Sequence, residues 1–301
     1  MKAVQLHGYG SVDRLAYEDV PTPVAGAGQV LVKLTSTSVN PIDYKIRRGD
    51  MKQIMPFELP TILGYDLAGQ VGAIGEGVTG IQTGAFVMGV TDHTYAEYVA
   101  CKPEILAPIP QGLNPSEAGA FPLVLQTGAQ LIELGVESLT SGRLLITGAL
   151  GSVGRVAAHI AKQRGLTVIL GVRERQRGDA EKLGAYEIVA LDDAKQMQAM
   201  KELDAVADTI GPPVIDQLLP HIRKSGILAT VVGKPKSAEG RDLVVNEVWS
   251  QPDAKRLAQL ARVVAKGELA IPIAARLKLA EIRKAHEVAE KGAPGKVLLV
   301  P

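Results

Sequence analysis

The sequence predicts an α/β protein with a β-rich first part and a second part built on a doubly wound parallel sheet. Three observations support this prediction. Short apolar and β-branched runs, bounded by glycine and proline, occupy the first third of the chain. A glycine-rich turn then lies between an apolar run and a helix-like segment. After that turn, strand-like and helix-like patterns alternate, which is typical of a parallel sheet.

The size and composition narrow the class of protein. The 301 residues suit two domains better than one. A formal net charge of +1 offers no electrostatic basis for binding nucleic acid or an acidic membrane. The single cysteine, Cys101, excludes an intrachain disulfide and indicates a reducing compartment. With no signal-like N-terminus and no long apolar run, the chain is expected to be cytoplasmic and without a membrane span.

The short strand-like runs within residues 1–118 predict a small barrel or a curled sheet. A proline-rich connector follows, and residues 116–135 have a helical pattern that Pro122 is expected to break. The strand-like runs of this first part are residues 2–6, 29–36, 69–74, 85–88 and 95–99.

The most informative segment runs from 143 to 175. An apolar run is followed by a glycine-rich turn, a helix predicted over 155–164 and a second apolar run, the unit that binds a dinucleotide. Gly151 and Gly154 take the second and third places of G-x-G-x-x-G, and Ala149 takes the first. Free backbone N–H groups at such a helix start favour a pyrophosphate. The predicted cofactor contacts are Gly148, Ala149, Leu150, Gly151, Ser152, Val153 and Gly154.

The residue after the second apolar run predicts which dinucleotide is bound. Arg173 comes 19 residues after Gly154 (173 − 154), close to the position where Asp or Glu would bind the ribose of NAD. A guanidinium suits a phosphate instead, and Arg175 and Arg177 follow, so NADPH is predicted over NADH. Glu174 lies in the same turn and would reverse this choice if it pointed inward.

Later elements continue the alternation. Ligands of a parallel sheet lie beyond the carboxyl ends of its strands, so Ile210, Gly211, Val232 and Gly233 are expected near the cofactor. The last elements depart from this pattern and are expected to return to the first domain. Helices are predicted over 178–183, 195–202, 214–222, 252–266 and 280–290, and strands over 187–190, 205–209, 226–232, 270–277 and 295–300.

Several motifs together resemble one family. They are residues 38–45 (SVNPIDYK), 59–69 (LPTILGYDLAG), 95–99 (YAEYV), the glycine turn, 182–185 (KLGA) and 295–297 (GKV). The chain resembles the medium-chain dehydrogenase/reductase superfamily, and within it the zinc-independent quinone oxidoreductase (zeta-crystallin-like) branch. The resemblance implies a GroES-like catalytic domain of residues 1–118 completed by 269–301, and a Rossmann cofactor domain of residues 119–268. It also implies an active site between the domains and a homodimer or homotetramer.

Zinc is not expected. The zinc-bearing relatives hold the ion with a Cys near the place of Asn40 and a His-Glu pair near that of Tyr65 and Asp66, where this sequence has neither Cys nor His. One cysteine also excludes a structural four-cysteine site. The five histidines are scattered, and each is expected to be structural or exposed.

The resemblance also implies roles for other residues. Asn40 would lie beside the nicotinamide ribose and the substrate, and Thr127 would contact the cofactor. Tyr44 and Lys45 are donors able to stabilise an oxyanion, although a packing role for Tyr44 and a solvated Lys45 stay open. Tyr65 and Trp249 are placed in the substrate pocket, with core packing as the alternative for Trp249.

These observations lead to an ordered set of hypotheses. The first is an NADPH-dependent reductase that transfers a hydride to a small-molecule quinone. The alternative within enzymes is an NADPH-dependent alkenal/enone reductase, since plant enzymes of the superfamily carry a Val-Asp-Tyr-Lys stretch similar to residues 42–45. A non-catalytic NADPH-binding protein is the third.

Overall fold

A computed structural model describes every residue from Met1 to Pro301. It contains strands in three sheets, separated by helices and short 3-10 turns. In chain order the strands are β1 (Lys2–Leu6), β2 (Leu15–Asp19), β3 (Val30–Val39), β4 (Thr61–Ile62), β5 (Asp66–Ile74), β6 (Phe86–Val90), β7 (Tyr98–Cys101), β8 (Leu106–Pro108), β9 (Arg143–Thr147), β10 (Thr167–Val172), β11 (Glu187–Ala190), β12 (Leu203–Asp208), β13 (Ile222–Thr230), β14 (Leu243–Glu247), β15 (Ile273–Lys278) and β16 (Lys296–Val300).

The helices are mostly short. The expected break at Pro122 is present, because this proline opens the helix that follows. The helices are α1 (Pro41–Arg48), α2 (Pro115–Ala118), α3 (Pro122–Glu133), α4 (Ser152–Gln163), α5 (Arg177–Glu181), α6 (Ala194–Gln198), α7 (Val214–Leu218), α8 (Ala254–Ala265) and α9 (Ile282–Glu290).

The chain forms two compact units. The first comprises residues 1–123 and 252–301, and the second comprises residues 124–251. The first boundary, predicted at 118/119, differs from the observed one by a few residues. The second, predicted at 268/269, differs by a whole helix. Helix α8 belongs to the first unit because it packs on β8. The end of α8 also lies close to the segment after β8, because a Cβ added to Gly112 would lie 3.4 Å from the carbonyl oxygen of Ala265.

The first unit contains two sheets. One has the order β2-β1-β4, and the other has the order β15-β16-β3-β5-β6-β8, with β7 also pairing with β3. All pairs are antiparallel except β15 with β16. The C-terminal strands therefore return to the first domain, as the sequence analysis expected. A buried apolar cluster that includes Leu6, Ile46, Tyr95 and Leu299 joins the small sheet, α1 and β16.

The sequence analysis missed four elements of this unit: β2, β4, β8 and α1. The three strands are short, between two and five residues, and lack a clear alternation of apolar and polar side chains. Helix α1 is eight residues of mixed polarity, so its apolar face gives little signal. Its start is nevertheless well specified, with Asn40 as N-cap and Pro41 at the first helical position.

The second unit is a six-stranded parallel sheet in the order β11-β10-β9-β12-β13-β14. Numbered from β9, this is the 3-2-1-4-5-6 order of a doubly wound dinucleotide-binding fold, with its switch point between β9 and β12. Buried side chains such as Leu145, Ile169 and Val206 form the core against α6 and α7. The predicted α/β class and doubly wound sheet are confirmed.

Element ends differ from the prediction in this unit. Helix α7 ends at Leu218, and Ile222 opens β13 instead of closing the helix, because Pro220 cannot continue it. Helix α6 ends at Gln198, four residues before the expected position. Strand β14 was not predicted.

Candidate active site

The glycine turn connects β9 directly to α4. The helix begins at Ser152, three residues before the predicted start, with Gly151 as its N-cap. Gly148 has a φ of +58°, and its carbonyl oxygen accepts a hydrogen bond from Gly151 N at 2.8 Å. A Cβ on Gly154 would lie only 2.3 Å from that same oxygen. Gly154 therefore lets the first turn of α4 pack against the turn that precedes it.

This helix start fits a phosphate group. The first intrahelical hydrogen bond runs from Arg155 N to Gly151 O at 2.9 Å, so the amides of Ser152, Val153 and Gly154 precede the intrahelical ladder. Ala149 is fully buried and its N–H donates to Gly171 O at 3.3 Å, so the structure does not favour its predicted role as a contact residue. The carbonyl of Leu150 accepts a hydrogen bond from Arg155 Nε at 2.9 Å. The groups of the turn that are free to bind a phosphate are thus the first backbone amides of α4.

The arginines after β10 divide into two groups. Arg173 and Arg175 are exposed and form no ion pair. Arg177 instead donates to Glu174 at 3.1 Å, to Gln196 Oε1 at 2.7 Å and to the carbonyl of Ile188 at 3.2 Å. The predicted phosphate role is therefore less favoured for Arg177 than for the other two arginines, because its guanidinium already binds protein groups.

Glu174 bears on the choice between NADH and NADPH. Its carboxylate accepts hydrogen bonds from Arg177 and from Gln196 Nε2, the latter at 3.1 Å. The hydrogen bonds from Arg177, followed by those from Gln196, lower the pKa of this carboxyl group. Its oxygens accept from these two donors, an arrangement that does not favour Glu174 in the place of the ribose-binding acidic residue.

The loop after β12 adjoins the glycine turn, and the loop after β13 lies next to that loop. Gly211 and Gly233 have φ values of +83° and +103°, a conformation that glycine adopts readily. Thr209 fixes the first of these loops to β9, with its N–H bonded to Thr147 Oγ1 at 2.8 Å and its hydroxyl bonded to Thr147 O at 2.7 Å. Ile210 is 44% exposed, whereas Gly211 is buried. Val232, like Gly233, is partly exposed in the second loop.

Helix α3 places Thr127 close to α4. A Cβ on the next residue, Gly128, would lie 2.5 Å from Val156 Cβ and 2.7 Å from Val153 O. The two helices therefore approach closely at this glycine. Thr127, which precedes this glycine in α3, is partly exposed.

In the first unit, Asn40 belongs to a buried polar network. Its Nδ2 donates to Asp66 Oδ2 at 2.7 Å, and its Oδ1 accepts from Lys296 Nζ at 2.5 Å. Asn40 is 2% exposed. Since both amide atoms are engaged and the side chain is buried, the structure favours a positioning role for Asn40 over the predicted place of this side chain beside the substrate.

Asp66 is the centre of that network. Its Oδ2 accepts from Ser38 and Asn40 and lies 3.4 Å from Lys296 Nζ. Its Oδ1 accepts from the backbone N–H of Leu123 at 2.7 Å, in the first turn of α3. One fully buried carboxylate thus links the end of β3, the last strand and the start of α3.

Asp43 fixes the start of α1. Its Oδ2 accepts from Asn40 N at 2.7 Å and from the hydroxyl of Tyr95 at 2.7 Å. Burial raises the pKa of Asp43 to about 7, and the two hydrogen bonds oppose that rise. Asn40 and Asp43 together define where the helix that carries Tyr44 and Lys45 begins.

Tyr44 and Lys45 present unused polar groups. The Tyr44 ring is partly buried, and the Arg48 guanidinium lies 5.4 Å from its centroid. Its hydroxyl forms no hydrogen bond with the protein, and burial raises its pKa. Lys45 is partly exposed and forms no ion pair. Phenol and ammonium are both donors that can stabilise an oxyanion.

The remaining predicted pocket residues lie in different units. Tyr65 is partly buried in the first unit, and burial is the main reason that its pKa is raised. Trp249 follows β14 in the second unit and is 46% exposed. That exposure does not fit the alternative of core packing for Trp249.

The side chains do not fit a zinc site. No group of three or more His, Cys, Asp or Glu residues is arranged to hold a metal ion. His286 is the one fully buried histidine, and burial, with a further contribution from Arg47, lowers its pKa to about 3. None of the helices is both long and apolar enough to cross a bilayer.

Sequence reasoning missed the network residues Asp66 and Lys296. Both lie in motifs that carried the family resemblance, in residues 59–69 and 295–297. The residues alone gave no signal of their contact, because 230 positions separate them.

Comparison with known proteins agrees with the two-unit fold described above. Residues 26–111 match the family described as alcohol dehydrogenase GroES-like domain, and residues 183–299 match the family described as zinc-binding dehydrogenase. The chain is similar to the chloroplastic quinone-oxidoreductase homolog of Spinacia oleracea, with 31% identity over 63% of this chain and 60% of the relative. It is also similar to the chloroplastic NADPH-dependent alkenal/one oxidoreductase of Arabidopsis thaliana, with 28% identity over 77% of this chain and 63% of the relative.

A solved structure extends the similarity to the whole chain. The quinone oxidoreductase from Coxiella burnetii is 28% identical, with a TM-score of 0.90 and coverage of 100% of this chain and 99% of that one. The match spans only about three fifths of each of the two curated relatives. The two family matches and the full-length structural similarity show that the chain belongs to the medium-chain dehydrogenase/reductase superfamily.

Proposed function

We propose that this protein is a zinc-independent, NADPH-dependent reductase that transfers a hydride to a quinone. One observation carries the cofactor part of the proposal. The first-turn amides of α4 precede the intrahelical ladder, and Arg173 and Arg175 follow the neighbouring strand without ion-pair partners. Such an arrangement suits a dinucleotide that carries an additional phosphate. The similarity to quinone oxidoreductases supports the acceptor class.

Each residue then has a defined task. Ser152, Val153 and Gly154 donate backbone hydrogen bonds to the pyrophosphate, and Arg173 with Arg175 binds the 2′-phosphate. When bound, NADPH supplies the hydride. Thr127 and the loops with Ile210, Gly211, Val232 and Gly233 contact the remainder of the cofactor. These roles remain proposals, as does the preference for NADPH over NADH.

The acceptor side relies on Tyr44 and Lys45. Reduction of a quinone to a hydroquinone adds a hydride and a proton, and negative charge develops on the quinone oxygen. The raised pKa of Tyr44 keeps its phenol protonated at neutral pH, so it can donate a hydrogen bond to that oxygen. Lys45 adds a positive charge on the same helix. Asn40 acts indirectly, by fixing the start of α1, and Tyr65 and Trp249 are proposed to line the acceptor pocket.

Reduction of α,β-unsaturated aldehydes and ketones is the second candidate. The same two donors could stabilise an enolate oxygen, and the Arabidopsis thaliana relative is named an alkenal/one oxidoreductase. The third candidate, an NADPH-binding protein without turnover, uses only the second unit. Cytoplasmic location and a homodimer or homotetramer also stay predictions.

A panel of acceptors tests the proposal. NADPH oxidation should be measured with benzoquinones, naphthoquinones, enals and enones, in buffer treated with a chelator and again with added zinc. Quinone turnover that exceeds enal turnover and is unaffected by zinc would support the proposal. Turnover with enals alone would favour the second candidate, whereas NADPH binding without turnover on any acceptor would favour the third.

A further inference from the structure

Asp208 is a buried carboxylate with no cationic partner. It is the last residue of β12 and is fully inaccessible to solvent. Its oxygens accept hydrogen bonds from two backbone amides, those of Ile210 and Gly211, each at 3.1 Å. A buried charge without a counter-ion is costly unless hydrogen bonds satisfy it, so these donors are required partners.

Two threonines from the neighbouring strands complete the ring of donors. The hydroxyl of Thr147, at the end of β9, donates to Asp208 Oδ1 at 2.8 Å. The hydroxyl of Thr230, at the end of β13, lies 3.3 Å from Asp208 Oδ2. All three side chains are fully buried. Asp208 therefore ties together the carboxyl ends of three adjacent strands.

The network extends into the loops beyond those strand ends. Thr147 Oγ1 accepts from Thr209 N at 2.8 Å, and Thr230 Oγ1 accepts from Val232 N at 3.2 Å. An added Cβ on Gly148 would lie 2.6 Å from the Thr209 hydroxyl, so the glycine turn packs against the same loop. The carboxylate thus determines the backbone path of both loops that follow β12 and β13.

The strand order indicates which part of a dinucleotide these loops face. The pyrophosphate belongs at the turn between β9 and α4, and Arg173 follows β10, on one side of β9. Strands β12 and β13 lie on the other side of β9. With the phosphorylated adenosine over β10, the nicotinamide half extends over the ends of β12 and β13.

We propose that Asp208 is a positioning residue for the nicotinamide half of the cofactor. It does not touch the ligand but holds the Ile210–Gly211 and Val232–Gly233 loops in the conformation that binds it. This inference rests on the proposed function, since it assumes that the second unit binds NADPH. It predicts that a substitution in the Asp208 network weakens the binding of the nicotinamide half of the cofactor and leaves the binding of the adenosine half unchanged.

The test compares whole and partial cofactors by calorimetric titration. The probes are NADPH, NADH and adenosine 2′,5′-bisphosphate, which lacks the nicotinamide half. The Asp208→Asn variant should raise the Kd for NADPH and for NADH by about 10-fold or more. The Kd for the bisphosphate should change by less than about 2-fold. Arg173→Ala is the matched control. It should weaken the binding of NADPH and of the bisphosphate but not the binding of NADH.

A second variant keeps the test independent of folding. Thr147→Val removes one donor to Asp208 without altering charge, and it should show the same selective pattern to a smaller extent. Unchanged affinities in both variants, or an equal loss for the bisphosphate, would overturn the inference. A wild-type protein that binds neither NADPH nor the bisphosphate would instead overturn the proposed function, and the inference would fall with it.

Discussion

The ammonium group of Lys296 lies 2.5 Å from Oδ1 of Asn40, although 256 residues separate the two in sequence. The same ammonium lies 3.4 Å from Asp66 Oδ2, and the two side chains of this ion pair are 5% and 0% exposed. Buried ion pairs depend on both members, because removing one leaves a charge without compensation in a medium of low dielectric. The acceptor side of the proposed site therefore depends on a lysine from the last strand.

Replacing Lys296 by methionine should destabilise the protein by about 3–5 kcal/mol, since Asp66 then keeps a buried and uncompensated charge. Urea unfolding measures this loss. The double variant Lys296→Met/Asp66→Asn removes both charges and should be more stable than Lys296→Met alone. Lys284→Met is the control, because Lys284 is 63% exposed and its partner is Glu281 on the surface. A loss no larger than that of the control would contradict this account.

Arg173→Ala should raise the Kd for NADPH by about 10-fold and leave the Kd for NADH nearly unchanged. The guanidinium of Arg173 is exposed and forms no ion pair, so its loss should remove only the proposed contact to the 2′-phosphate. Fluorescence titration with both cofactors provides the measurement.

Arg177→Ala is the matched control for that experiment. Its guanidinium is bound to Glu174 and Gln196, so its loss should affect NADPH and NADH alike. An equal effect of Arg173→Ala on the two cofactors would refute the assignment of this arginine to the phosphate.

The glycine turn could be predicted, and a role proposed for the arginines, because the signals of both are local. Gly151, Gly154 and Arg173 lie within one strand-turn-helix-strand unit, where spacing along the chain reports position in space. The role of Asp66 could not be predicted this way. Its donors include Leu123 and Lys296, which are 57 and 230 positions away. Pairing between residues so distant is decided by the folded topology.

The same distinction explains why the structure gives less support to the predicted roles of Ala149 and Arg177. Ala149 occupies a motif position, but only the fold shows that its side chain is fully buried. Arg177 fits a run of three arginines in sequence, yet Gln196 from α6 binds it at 2.7 Å. Motifs thus predicted where a site would lie, whereas the side-chain contacts around it became visible only in the folded structure.

Asp43 should make stability depend on pH. Its pKa is raised from 3.8 to about 7 in the folded protein, so the folded state binds a proton more tightly than the unfolded state. The stability of wild type relative to Asp43→Asn should therefore fall as pH rises from about 4 to about 7, by at most roughly 1.4 kcal/mol per pH unit within that window. Urea unfolding at several pH values measures it.

His286 should make stability depend on pH in the opposite direction. Its pKa is lowered from 6.5 to about 3, so the unfolded state binds the proton more tightly and stability is lost as pH falls through this range. The stability difference between wild type and His286→Gln should therefore shrink toward acid pH. Parallel pH profiles for the two variants would show that burial does not shift these groups in opposite directions.

Tyr44→Phe should lower kcat for quinone reduction by about 100-fold and leave the Kd for NADPH unchanged, because the phenol is proposed to act on the acceptor oxygen alone. The ring remains, so its packing against Arg48 is kept. Steady-state kinetics with one quinone gives the answer. Tyr17→Phe is the control, since Tyr17 is 37% exposed on β2, outside the proposed site. Unchanged kcat in Tyr44→Phe would remove Tyr44 from the reaction.

Gly154→Ala should disrupt the turn on which cofactor binding depends. The added Cβ would lie 2.3 Å from Gly148 O and 2.7 Å from Ala149 Cα, so the helix start must move away from the turn. We expect destabilisation of about 1–3 kcal/mol together with weaker NADPH binding. Gly178→Ala is the matched control in another helix, where the new Cβ meets nothing within 4 Å and φ is ordinary. That variant should be neutral or slightly more stable, because alanine favours helix more than glycine does. Equal behaviour of the two variants in urea unfolding and NADPH titration would show that close backbone packing at Gly154 is not required.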